Sequence, residues 1–147
     1  GSEMCIRDSM CSEKKLAKAL ARMTYAFSNA TCAKVNMITG EAYGSAYVFM
    51  NSKSIGADLV YAWNDAKIGT MDSTMAAKIM YPDADAAEIK EKASVYEKLQ
   101  SSATSAAARG YVDRIIEPAD SRKYLVAAFE MLYTKYVDEP EKKHGTK

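Results

Sequence analysis

One histidine, three prolines and three cysteines among 147 residues leave few sites for the commonest side-chain chemistry. The histidine, His144, lies in the closing polar stretch Pro140 to Lys147. Without it, no Ser-His-Asp or Cys-His arrangement can be assembled. Cys5, Cys11 and Cys32 all fall in the first quarter of the chain. They are odd in number and lack C-x-x-C spacing, which argues against a disulfide framework or a zinc site. A reducing, cytoplasmic setting fits, and no metal is expected. The longest apolar stretch, Ala42 to Met50, is about half of what a membrane span requires. Glu3, Arg7 and Asp8 interrupt any secretory pattern at the start. Lysines and arginines are dispersed, and the net charge is +1. No basic patch interleaved with aromatics points to nucleic acid. A P-loop and a dinucleotide fingerprint are also lacking.

What is present suits a packed domain. Hydrophobic residues make up 48% and charged residues 27%, ordinary globular usage. The length allows one domain or part of one. The opening Gly1 to Met10 has neither helical nor strand period, so residues 1–11 are read as a non-native or disordered leader. Residues 12–137 form the domain and 138–147 a flexible tail.

Along the chain, Ser12 is placed to cap a helix whose Leu16, Leu20, Met23 and Phe27 share one face. Ala33 to Thr39 alternates as a strand. Gly40 to Gly44 reads as a turn, followed by a small-residue helix to Met50. Leu59 to Trp63 and Lys67 to Gly69 are further strands. Asp72 or Ser73 caps a helix ending before Pro82. Ala84 to Leu99 is a charged helix with Ile89, Val95, Tyr96 and Leu99 as its apolar positions. An alanine-rich helix closes at Gly110, and Val112 to Ile116 is extended. Asp120 caps a last helix with Leu125, Ala128, Phe129, Leu132 and Tyr136 inward. The sequence shows no internal repeat. Strands alternating with helices predict an α/β fold with right-handed crossovers. The strands are few for a complete domain, so the chain reads as part of a larger unit with open sheet edges.

The stretch Thr39 to Tyr47 is the most informative. A strand enters a turn of small residues and then a helix start, which presents backbone N–H groups at a positive helix end. Small side chains admit a ligand close to the backbone. Such a junction can hold a developing oxyanion, or it can serve tight packing alone. Asp58, Asp65, Asp72 and Asp113 are spaced as turn and cap residues. Glu88, Glu91 and Glu97 with Lys90, Lys92 and Lys98 form a solvated helix face. Tyr43, Tyr47, Tyr61 and Trp63 belong to a core or to an apolar pocket. An enzyme built this way would use backbone donors and a cofactor carrying the reactive group.

From Ala33 onward the sequence resembles a known family. Ala33-Lys34-Val35-Asn36-Met37-Ile38-Thr39, Glu41-Ala42-Tyr43-Gly44-Ser45-Ala46-Tyr47, Met50-Asn51-Ser52-Lys53 and Gly56-Ala57-Asp58-Leu59-Val60-Tyr61-Ala62-Trp63 form one block. Ala106-Ala107-Ala108-Arg109-Gly110-Tyr111-Val112-Asp113, Ile116-Glu117-Pro118, Arg122 and Lys142-Lys143-His144-Gly145 form a second. Both resemble the C-terminal domain of biotin-dependent acyl-CoA carboxyltransferases, among them propionyl-CoA carboxylase β subunits and methylmalonyl-CoA decarboxylase α subunits.

The resemblance implies a partial crotonase-like β-β-α spiral, N-terminally truncated, beginning within the second of two such domains. It implies carboxyl transfer between carboxybiotin and an acyl-CoA such as propionyl- or methylmalonyl-CoA, with the isolated chain inactive. Carried over, the backbone N–H groups of Ser45 and Ala46 hold the biotin ureido oxygen. Tyr43, Gly44, Tyr47 and Val48 then lie at the substrate, with Tyr47 and Val48 shaping an acyl pocket. Biotin would arrive on a separate carrier domain, and no protein side chain need act as base. The implied partners are a biotin carboxyl carrier protein, further copies of the subunit and a sodium-pumping membrane decarboxylase subunit.

Some positions depart from the family. Ser45 stands where the family has Gly, Met71-Asp72-Ser73-Thr74 replaces Met-Gly-Pro-Glu, and Ser102-Ala103 replaces Asn-Pro. Two other readings compete with this one. A different crotonase-fold hydratase or isomerase would need acidic side chains at the acyl pocket. A non-catalytic assembly fragment would bind a biotinylated carrier without turnover.

Overall fold

The computed structural model describes residues 10–138, with side chains from Leu16 onward. The leader before Met10 and the tail from residue 139, with His144, lie outside the described residues. Helix α1 (Met10–Asn29) is already helical at Met10, so Ser12 sits inside it rather than before it. Its Leu16, Leu20, Met23 and Phe27 are half-buried, as the 3.6-residue period predicts.

Two small parallel sheets follow. Strands β1 (Val35–Ile38), β3 (Leu59–Trp63) and β5 (Arg114–Ile116) form one, in the order β1-β3-β5. Strands β2 (Glu41–Tyr43) and β4 (Lys67–Gly69) form the other. The registers pair Val35 with Leu59 and Glu41 with Lys67. Each of the first two units therefore runs strand, strand, helix: β1-β2-α2 (Gly44–Phe49), then β3-β4-α3 (Ser73–Met80). The structure thus repeats where the sequence shows no repeat.

Residues Glu41–Tyr43, expected to lie in a turn, form β2 instead. Three residues with one charge carry no readable period. They are extended because β4 offers a parallel partner and Lys67 N–H bonds Gly40 C=O. Tertiary pairing overrides local preference here.

Period-2 geometry explains how β3 organises the core. Successive side chains of a strand point to opposite faces. Val60 and Ala62, both fully buried, pack with Ile38, Ile68, Ala103, Ala106 and Val112 on one face. Leu59, Tyr61 and Trp63 turn to the other face, with Val35, Met37, Ile116, Ala128 and Tyr124. A strand covered on both faces reads as the continuous apolar run Leu-Val-Tyr-Ala-Trp.

Helix α3 starts at Asp72, whose Oδ2 accepts from the N–H groups of Thr74 (3.0 Å) and Met75 (3.3 Å). Asp72→Ala should cost about 1 kcal/mol, read from a denaturant midpoint. No loss would show that the cap contributes nothing to the fold. Asp85 caps α4 (Ala86–Tyr96) in the same way, through Ala87 and Glu88.

Helix α4 departs from the expected face. Ala93 is its buried residue, while Val95 and Leu99 are exposed. The chain widens into a π-turn over Glu97–Ser101 before α5 (Ala103–Ala108). A π-turn changes the phase of the residues beyond it, so spacing from Ile89 misplaces Leu99.

Helix α6 (Ser121–Met131) also differs. Asp120 holds the cap position but makes no capping bond. The entry is set instead by the turn Pro118–Asp120 and by Ser121, which accepts from Trp63 Nε1 and donates to Pro118 C=O. Ala128 is buried, but Phe129 and Tyr136 are exposed. The helix ends at Met131, which takes Tyr136 off its face. Phe129 is left 49% exposed.

Among the described residues, no helix is long and apolar enough to cross a membrane.

Candidate functional site

The turn from β2 into α2 depends on one backbone conformation. Tyr43 is extended (φ −116°, ψ 146°) and Gly44 is left-handed (φ 59°). Only glycine adopts that region without penalty, so it can reverse the chain between a strand and a helix in a single residue. A left-handed residue ahead of right-handed ones makes successive N–H groups converge, a concavity suited to anions. Ser45 and Ala46 follow as the second and third residues of α2. Positions this early have no acceptor one turn back within their helix. Ser45 is exposed and has an interaction of its own within the chain, whereas Ala46 is buried.

Helix α2 stands between two cavities. The first, about 390 Å³, is lined by Ala46, Tyr47 and Met50 and by the run from Asn36 to Ala42. The second, about 480 Å³, is lined by Gly44, Tyr47 and Val48 on one side. Gly69 at the end of β4 and Thr70 after it, Tyr96 and Gln100 at the π-turn, and Arg109 and Tyr111 face them. Of the residues expected at the site, Ala46, Gly44, Tyr47 and Val48 border a cavity, and Tyr47 borders both. Tyr43 and Ser45 line neither.

Tyr47 has an unusual environment. Its ring packs against the core cluster, and its hydroxyl is buried without a hydrogen-bond partner. Burial, and secondarily the neighbouring Tyr111, hold its pKa above the ordinary tyrosine value. It is therefore a protonated donor at neutral pH.

The second cavity carries one cation and no carboxylate. Arg109 donates to the backbone and side-chain oxygens of Gln100. The first cavity has one carboxylate, Glu41, which is exposed and 3.7 Å from Lys67. Lys67 lies 3.0 Å from Glu97, whose hydrogen bond and charge raise its pKa. This pair ties β4 to the π-turn.

Sequence reasoning placed none of Tyr96, Gln100, Arg109 and Tyr111 at the site. The last two sit in the second block of resemblance, and that was the only signal available. The π-turn that brings Gln100 to the cavity has none.

These elements define an α/β domain with two cavities beside a glycine-dependent strand-to-helix turn. Known proteins share its fold. A family model described as the carboxyl transferase domain matches residues 10–146. The chain belongs to that family. It is 46% identical over 131 residues to the methylmalonyl-CoA decarboxylase subunit alpha of Propionigenium modestum, matching 85% of this chain and 25% of that protein. It is 36% identical over 135 residues to a biotin-dependent acetyl-/propionyl-coenzyme A carboxylase beta5 subunit of Mycobacterium leprae, covering 85% and 25%. A crystal structure of the transcarboxylase 12S hexamer, with methylmalonyl-coenzyme A and methylmalonic acid bound, superposes with a TM-score of 0.88 at 37% identity. That match covers 95% of this chain and 28% of the solved one. The fold is accordingly crotonase-like. The chain spans about a quarter of the length of the curated relatives it matches.

Proposed function

We propose that this chain forms the biotin-facing part of an enzyme that moves a carboxyl group between biotin and an acyl-CoA such as propionyl- or methylmalonyl-CoA. The observation that carries this reading is the left-handed Gly44 at the head of α2, with a cavity on each side, in a chain of the carboxyl transferase family.

The backbone N–H groups of Ser45 and Ala46 hold the biotin ureido oxygen as it gains negative charge. Preorganised donors of this kind contribute by being aimed before the charge develops. Biotin, when bound, supplies the chemistry of carrying the carboxyl group. The first cavity suits its ring system, because Met37, Ile38, Ala42 and Met50 give apolar walls beside Ala46. Gly44, Tyr47 and Val48 border the acyl side, and Tyr43 anchors the turn. Biotin arrives on a biotin carboxyl carrier protein. Further copies of the subunit, and in a decarboxylase a sodium-pumping membrane subunit, complete a complex placed at the cytoplasmic side. With so little of a full-length relative present, this chain alone is expected to bind but not to turn over.

The hydratase or isomerase reading lacks its acid. Among the described residues Glu41 alone brings a carboxylate to either cavity, and Lys67 lies beside it.

Titrating the 147-residue chain with biotin methyl ester tests the biotin side. Amide NMR signals of Ser45 and Ala46 should move first. Movement confined to residues away from α2 would overturn the assignment.

A further inference from the structure

Helix α6 is apolar on two faces. The inward one, with Ala128 buried and Tyr124 half-buried, packs against Tyr61 and Ile116 of the three-stranded sheet. The outward one carries Arg122, Leu125, Val126, Phe129, Glu130 and Tyr133, which line an open groove of about 810 Å³. Steps of three and one along the helix keep these six on a single stripe. A stripe facing solvent is ordinarily polar. Here Val126, Phe129 and Tyr133 are 50%, 49% and 88% exposed, and an apolar patch with a polar rim marks an interaction surface. Tyr47 packs with Val60 and Ala62 on one face of β3, and α6 covers the other, so this surface is separate from both cavities.

The charges on the stripe say what fits it. Arg122 and Glu130 are the charged residues that line the groove, and neither joins a salt bridge among the described residues. Val126 lies midway between them in the sequence, with each charge about 6 Å from it along the helix axis. A second copy of the helix, turned end over end about a two-fold axis through Val126, brings its Glu130 opposite Arg122 and its Arg122 opposite Glu130. The two valines then meet at the centre. A two-fold interface has this reciprocal form, in which residue i meets j and j meets i. A uniformly acidic or basic partner would answer one charge and repel the other.

We infer that the outward face of α6 is a docking surface for a second copy of this chain, with the two helices antiparallel across a two-fold axis at Val126. The inference goes beyond the carboxyl-transfer reading and does not depend on it, because it uses no residue of α2 or of either cavity. One helix pair is a small contact, which places the association at the weak end of specific interfaces.

Sedimentation velocity of the 147-residue chain, from low micromolar to near-millimolar concentration, tests the surface. The mass should approach twice that of the monomer at the top of the series. Arg122→Glu sets two negative charges against each other in each half of the interface, and Glu130→Arg sets two positive ones. Each should weaken association at least tenfold. The double reversal, R122E with E130R, rebuilds both pairs and should recover the wild-type affinity. An equimolar mixture of the two single variants should also associate, since each supplies the charge that the other lacks. Both side chains are exposed, so the melting temperatures should match the wild type. A wild-type chain that stays monomeric throughout would leave the face to another partner and overturn the inference. Single reversals that associate as before, a double reversal or a mixture that stays apart, or a lowered melting temperature would overturn it as well. The biotin response at Ser45 and Ala46 is read separately on a single-reversal variant, so either result can fail while the other stands.

Discussion

Ser45→Pro, placed in a full-length carboxyltransferase carrying this segment, is expected to slow carboxyl transfer about a hundredfold. Proline removes one backbone donor. Ser45 is the second residue of α2, and first-turn positions of a helix tolerate proline. A thermal melt of the same variant separates a loss of transfer from a loss of folding. Ser45→Ala is the companion: it keeps the amide and should transfer almost normally. Comparable losses in both variants would move the role from the amide to the side chain. Near-normal transfer by Ser45→Pro would remove the oxyanion proposal.

A second large effect is expected far from the cavities. Asp58 Oδ2 accepts from Lys34 N–H (2.7 Å) and from Lys135 Nζ (2.8 Å). Lys135 also donates to Cys32 C=O at 3.1 Å. One carboxylate thus joins the start of β1, the start of β3 and the segment beyond α6. The two side chains are only 20% and 16% exposed. Deleting one partner of such a pair leaves the other charge without compensation. Asp58→Ala should cost about 2–3 kcal/mol, lowering the melting temperature by roughly 5–10 °C. A drop of under a degree would show that water replaces the carboxylate freely.

The same group sets a pH dependence. Burial pushes the Asp58 carboxyl upward, but the hydrogen bonds from Lys135 and Lys34 and their charges outweigh it, so its folded pKa lies below the ordinary aspartate value. A lowered folded pKa means the unfolded chain takes up the proton first. The stabilisation is complete above the unfolded pKa, about 3.9, and fades as the pH falls below it. Asp58→Asn should flatten the acid limb of a stability-against-pH curve.

Much of the architecture was legible where physics is local. Leu59 to Trp63 was readable because a strand buried on both faces must be apolar throughout. Asp72 was readable because a carboxylate ahead of a helix satisfies orphan N–H groups. The short helix ending near Met50 followed from small residues after a turn, although Gly44, read as part of that turn, opens the helix. What failed was non-local. Strand β2 owes its conformation to β4, about 26 residues away along the chain by their pairing. The π-turn shifted Leu99 outward without a mark in its composition. Phe129 was assigned inward by a sound period, but a helix face turns inward only if something packs on it.

The site divided along the same line. Ala46, Gly44, Tyr47 and Val48, which border the cavities, could be named together because one continuous segment carries them. Gln100 and Arg109 reach the opposite wall from other elements, and no spacing in the sequence announces that. Ser45 and Tyr43 came with the segment but line neither cavity. Their placement in the mechanism rests on the backbone.

The doubled strand-strand-helix unit bears on tolerance to change. Its strands couple mainly to the neighbour before and the neighbour after, as rungs do in a staircase. A substitution on one rung reaches the next by contact and is diluted beyond it. The rungs are therefore free to drift apart in composition while their spacing is kept. Valine-asparagine-methionine-isoleucine on one step and leucine-valine-tyrosine-alanine-tryptophan on the next can hold the same rise with hardly a letter in common.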